Sequence, residues 1–178
     1  RDRHRIEEYL QYLKREIDLV APLIALKRRV TQLHWGGGTP THLTPDQLRD
    51  IAEYIKTSFR IDPDAEMSVE IDPRELTQSH LEVLRRSGFN RVSMGVQDFD
   101  PKVQESVNRI QSRELVSTVY EWAVDLKFES INFDLIYGLP FQSLASFKET
   151  VHETIKFKPD RIAVFNYAHV PWLKPHQK

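Results

Sequence analysis

The chain has 178 residues, 40% hydrophobic and 29% charged, an ordinary balance for one water-soluble domain with a sizeable core. Its 25 lysines and arginines nearly cancel 26 aspartates and glutamates, and a net charge of −1 gives no basic field for a phosphate backbone, which excludes nucleic acid as a default partner. Cysteine is absent, which excludes disulfides, thiolate catalysis and any metal or cluster site built on this chain's own sulfur.

In chain order, Ile6, Leu10, Leu13, Ile17 and Val20 form a helical stripe that Pro22 ends. The mostly apolar run over residues 19–26 is broken by that proline and is far shorter than the roughly 20 residues that span a bilayer, so no membrane partner is expected. No secretory signal opens the chain, and a cytoplasmic protein is the default. A strand is predicted over 31–35 and a helix from Thr44, an N-cap followed by Pro45 and by Gln47 at the capping-box position. Asp62, Pro63 and Asp64 read as a loop within one domain. Further strands are predicted over 67–71, 91–96, 131–137 and 161–165. Helices are predicted from Thr77 to the stop at Gly88, over 113–126, and from Ser143 to before Pro159.

Strand and helix alternate throughout, which argues for βα units and a parallel sheet. The strands themselves alternate: Met67, Val69 and Ile71 share one face while Ser68 and Glu70 share the other. Val92, Met94 and Val96 oppose Ser93, Gly95 and Gln97; Ile131, Phe133 and Leu135 oppose Asn132 and Asp134; Leu33 and Trp35 oppose Gln32 and His34. Strands buried on both faces read instead as continuous apolar runs. A partial, open (βα) barrel with outer helices and a polar lumen accounts for the pattern, the other reading being an exposed sheet face.

Glu70, Gln97 and Asp134 end the inward rows of their strands, and together they suggest one ligand with hydroxyls and a charged amine. Each alone also reads as structural, and Glu70 as a salt-bridge partner. Gly36, Gly37 and Gly38, then Thr39 and Pro40, leave the first strand as either a tight turn or a close backbone cradle. The Walker A and dinucleotide spacings are absent. Arg109 reads as a solvated surface residue, His34 as a lumen histidine, and His169 as a loop histidine or an acid–base group. Cofactor-free acid–base chemistry finds no close pair of inward carboxylates and no Ser/His/Asp arrangement.

The stretches His34-Trp35-Gly36-Gly37-Gly38-Thr39-Pro40-Thr41, Glu70-Ile71-Asp72-Pro73-Arg74-Glu75, Ser93-Met94-Gly95-Val96-Gln97-Asp98-Phe99, Val107-Asn108-Arg109, Asp134-Leu135-Ile136-Tyr137-Gly138-Leu139-Pro140 and Phe165-Asn166-Tyr167-Ala168-His169 resemble the radical S-adenosylmethionine family over essentially the whole chain. Within it they are most similar to the branch acting on coproporphyrinogen III, with a haem-carrying branch as the alternative. The resemblance implies a [4Fe–4S] cluster and two S-adenosylmethionine molecules. Gly37 and Glu70 fall to the one on the cluster; Gly38, Thr39, Gln97, Arg109, Asp134 and the backbone of Ala168 fall to the second. It further implies an electron donor and a deoxyadenosyl radical that takes a propionate hydrogen, so that two propionates become vinyl groups. The family's cluster cysteines follow the first barrel strand. Residue 1 is arginine, and the chain reads as a single-domain excerpt, 1–178, lacking that strand and its cysteine loop. By itself it is expected to bind no cluster and to have no turnover.

Overall fold

Local chemistry sets the helix ends. Thr44 caps α2 (Pro45–Ser58): its hydroxyl accepts from Gln47 N at 3.3 Å, and the Gln47 side chain accepts from Thr44 N at 3.0 Å. Ser112 caps α5 (Arg113–Asp125) and Ser143 caps α6 (Leu144–Phe157). α3 (Gln78–Arg86) ends where Gly88 takes φ +98°, and Phe89 N closes back on Leu84 O at 3.0 Å. The first stripe forms α1 (Arg3–Val20), which passes into a 3₁₀ turn at Pro22. The spacing did not reveal α4 (Pro101–Ser106), whose six residues are too few for a periodic stripe; Asp100 caps it through Lys102 N and Val103 N. The computed structural model describes residues 3–24, 28–173 and 177. Residue 1, whose arginine entered the reading of an excerpt, and residues 25 and 26 of the apolar run lie outside them.

Five strands, β1 (Val30–Trp35), β2 (Ile61–Ile71), β3 (Arg91–Gln97), β4 (Ser130–Tyr137) and β5 (Arg161–Asn166), form one parallel sheet in sequential order. In such an order every right-handed crossover lands on the same side. The helices therefore cover one face and the sheet curls into a half-barrel. Residues 62–64, read as a loop, instead belong to β2. The β1–β2 register runs from Val30↔Ile61 to Gln32↔Glu66, so the extra residues bulge there, and a bulge tolerates the missing N–H of Pro63.

The apolar rows pack beneath the helices: Val69, Met94, Phe133 and Leu135 meet Leu48, Leu81 and Val119 in one core. A smaller cluster, Leu10, Ile17, Ile51 and Ile55, joins α1 to α2. Among the described residues no helix is long and apolar enough to cross a membrane.

Phe133 is fully buried, with the rings of Phe157 and Tyr120 at 5.5 and 5.7 Å. Phe133→Ala is expected to lower the unfolding free energy by about 3–5 kcal/mol. Ile155→Ala, at a site 55% exposed, is expected to change it by under about 0.5 kcal/mol. Urea denaturation of both variants checks this.

Candidate functional site

The polar rows line the concave face as a layered grid. Glu70 lies beside Ser93, Ser93 beside Asn132, and Gly95 beside Asp134. At the upper rim a cavity of about 160 Å³ is lined by Gly38, Thr39, Glu70, Gln97, Arg109 and Asp134 among others. Six of the eight residues singled out from the sequence therefore meet in one place. Gly37 is outside the lining, at φ +102° in the strand exit, and a Cβ built there or at Gly38 meets nothing within 4 Å. Ala168 lies beyond β5, also outside, its carbonyl accepting from Gln177 Nε2 at 3.1 Å. His169 stands by Tyr167 in a separate cavity with Phe141.

Arg109 differs most from its reading as a solvated residue. Its side chain is 25% exposed, and Nη2 donates to Gly95 O at 3.0 Å. A Cβ on Gly95 would stand 2.7 Å from both Arg109 Nη2 and Gln97 Nε2, so the glycine is what admits these side chains across the strand. Nε is buried without a hydrogen-bond partner. Burial pulls the guanidinium pKa down, against the pull of Asp72.

Gln97 has φ +67°, an uncommon conformation for a non-glycine residue. The β3–β4 register slips between Gly95 and Gln97, and this bulge aims the end of the strand at the cavity. Sequence reasoning missed what holds it. Gln111 Nε2 donates to the carbonyls of Gly95, at 3.2 Å, and Val96, while Gln104 Nε2 donates to Asp98 O and Gln111 O, each at 2.8 Å. Asp98, fully buried, accepts from Thr150 Oγ1 at 2.7 Å and Gln142 Nε2 at 2.5 Å. Glutamines carry no periodic signature that would mark them as rim supports.

Asp134 accepts from Ser93 Oγ and from Asn132 Nδ2, both at 2.7 Å. Burial raises its pKa, the two hydrogen bonds act the other way, and the negative charge of Glu70 adds to the rise. Glu70 and Asp134, both read as inward from the strand pattern, thus line the same cavity. His34 also lies between partners, Nδ1 at 2.8 Å from Ser68 Oγ and Nε2 at 3.4 Å from Glu70 Oε1. Among the described residues no group of three or more His, Cys, Asp or Glu side chains is placed to hold a metal ion.

Beside the cavity Asp72 accepts from Arg74 N and Nε at 3.1 and 3.0 Å and from Nη2 at 2.7 Å. Burial opposes its charge, but the Arg74 hydrogen bonds and the nearby Arg109 outweigh it and hold the carboxyl below the ordinary range. A depressed native pKa contributes stability that is complete above the unfolded value of about 4 and is lost as pH falls through the native value. Asp72→Asn is therefore expected to flatten the loss of stability below about pH 4. Urea midpoints measured against pH for both proteins check this.

The radical SAM superfamily model matches residues 3–154. The oxygen-independent coproporphyrinogen III oxidase of Synechocystis sp. is 49% identical over 173 residues, which are 97% of this chain and 37% of that protein. Its counterpart in Escherichia coli K12 is 46% identical over 178 residues, 100% of this chain and 39% of that protein. The solved structure of coproporphyrinogen III oxidase (HemN) from Escherichia coli matches with a TM-score of 0.95 at 46% identity, over 99% of this chain and 41% of that one. Archaeal Elp3 of Methanocaldococcus infernus, at 16% identity over 82% of this chain and 40% of that one, shares the fold with a TM-score of 0.69. The chain thus spans about two fifths of the length of the curated relatives it matches. Because the matched stretch runs from α1 into α6 and takes in four of the five strands, the chain belongs to the radical SAM superfamily.

Proposed function

We propose that this chain forms the S-adenosylmethionine-binding wall of an oxygen-independent coproporphyrinogen III oxidase, acting in haem synthesis. In this reading residues 1–178 are one part of a larger cytoplasmic enzyme that draws on a separate electron donor. The observation that carries it is the convergence of Glu70, Gln97, Arg109 and Asp134 with the glycine-rich exit of β1 at one rim. The identity to curated oxidases of this name supports the choice of substrate, coproporphyrinogen III.

The donor set suits S-adenosylmethionine. Glu70 and Asp134 offer acceptors to an ammonium and to ribose hydroxyls. Arg109, which lines the cavity, brings a cation for a carboxylate. Around Gly37 and Gly38 there is open space for a ligand to approach the backbone. Glu70 and Gly37 are assigned to one molecule; Gly38, Thr39, Gln97, Arg109, Asp134 and the backbone of Ala168 to a second. When bound at a reduced [4Fe–4S] cluster, S-adenosylmethionine supplies the one-electron chemistry that breaks an unactivated C–H bond. The contribution of these residues is orientation: groups fixed on strand ends hold a reactive ligand within near-contact distance of its target. The cluster itself does not fit this chain, which has no cysteine, and none of its residues is assigned a step through it.

Two measurements test the reading. Calorimetry with S-adenosylmethionine on the full-length protein is expected to show affinity falling roughly tenfold, or the second molecule lost, for Asp134→Ala and Gln97→Ala. Unchanged binding in both overturns it, and saturable haem binding without decarboxylation favours the haem-carrying relative. The isolated 178-residue chain, treated with iron and sulfide, is expected to retain background iron and show no visible charge-transfer absorbance. Stoichiometric iron and sulfide would contradict the absence of a cluster site.

A further inference from the structure

The turn that leaves β2, Asp72-Pro73-Arg74-Glu75, reaches both sides of the cavity. On one side Arg74 Nη1 donates to the carbonyl of Asn108 at 3.2 Å, fixing the backbone immediately before Arg109. Its Nε and Nη2 meanwhile grip Asp72. The second oxygen of Asp72 stands 3.5 Å from Arg109 Nη2. On the other side Glu75 Oε2 is 3.0 Å from His42 Nδ1, in the turn that follows the glycine run.

We propose that Asp72 and Arg74 are positioning residues that hold the Arg109 guanidinium at the cavity wall. The inference rests on the reading of Arg109 as a cofactor-binding residue. Two guanidinium groups side by side repel, and a buried one is poorly solvated. The Asp72 side chain, 8% exposed, lies against both and supplies the counter-charge. Arg109 is long and rotamer-rich, and its own anchor is a single bond to Gly95 O. The brace removes the alternatives: Arg74 fixes where the Arg109 main chain starts, and Asp72 fixes one edge of its fork. Nε, on that same edge, is buried without a hydrogen-bond partner. Arg74 makes three side-chain bonds in two directions, which a planar guanidinium can do and an ammonium on a flexible stem cannot.

The test uses the full-length protein with Arg74→Gln, Arg74→Lys and Arg109→Lys, and Arg86→Gln on the exposed face of α3 as a control. Calorimetric titration gives affinity and stoichiometry for S-adenosylmethionine, and crystal structures without the ligand give the position of Arg109. Both Arg74 variants are expected to weaken binding roughly tenfold, as is Arg109→Lys, and to release the Arg109 side chain from Gly95 O. The control is expected to bind normally. Wild-type affinity in the Arg74 variants, with binding lost in Arg109→Lys, overturns the brace and leaves the cofactor site standing. Wild-type affinity in Arg109→Lys overturns the cofactor role of Arg109 and the brace with it. Full rescue by lysine at 74 reduces that residue to a charge and also overturns the proposal. Should Arg74→Gln fail to fold, Arg74→Lys, which keeps the cation beside Asp72, carries the comparison.

Discussion

A parallel sheet whose strands run in sequential order has all its crossovers on one side, and the rest of this structure depends on that constraint. The helices bury one face, where the apolar rows are held by dispersion and the hydrophobic effect. Among the described residues no crossover helix covers the opposite face. Its side chains can be polar because they meet one another and solvent, and the curl of the half-barrel turns them toward a common centre. In a closed barrel filled with branched apolar side chains, Glu70, Ser93, Asn132 and Asp134 would have no tolerable place.

Charge is distributed over that centre in a definite way. Glu70 and Asp134 bring carboxyl groups to the cavity, and burial, with a smaller contribution from Glu70, raises the pKa of Asp134. Arg109 faces them from the loop after α4, while Asp72 and Arg74 balance it from behind. The result is a pocket that presents acceptors and a cation to the same small volume, as recognition of a zwitterion demands. Away from bulk water such contacts are stronger than they are at a surface.

The rim is stiff where it needs to be aimed. A left-handed Gln97 and a bulge at the end of β3 are unfavourable on their own. They persist because Gln104, Gln111, Asp98, Thr150 and Gln142 tie the strand end to α4 and α6 through buried hydrogen bonds. Such bonds in a low-dielectric interior stiffen the support of the cavity wall, although Gln111 Oε1 is buried without a partner.

Much of the fold was written in local periodicity. The two-residue alternation of β2, β3 and β4, the capping boxes at Thr44 and the left-handed stop at Gly88 are decided by neighbours along the chain, so they are legible there. So was the convergence of Glu70, Gln97 and Asp134, because a strand's period fixes which side chains share a face. Three features were not legible: the bulge that draws Pro63 into β2, the short α4, and the burial of Arg109. Each depends on atoms distant in sequence, namely the β1 partner, the Asp100 cap set against the rim network, and the space that Gly95 leaves for a guanidinium from another loop. Sequence alone thus determined the rows and their polarity. Only tertiary structure decided which loops cross over those rows, since that is settled by packing and by where a buried charge finds its counter-ion.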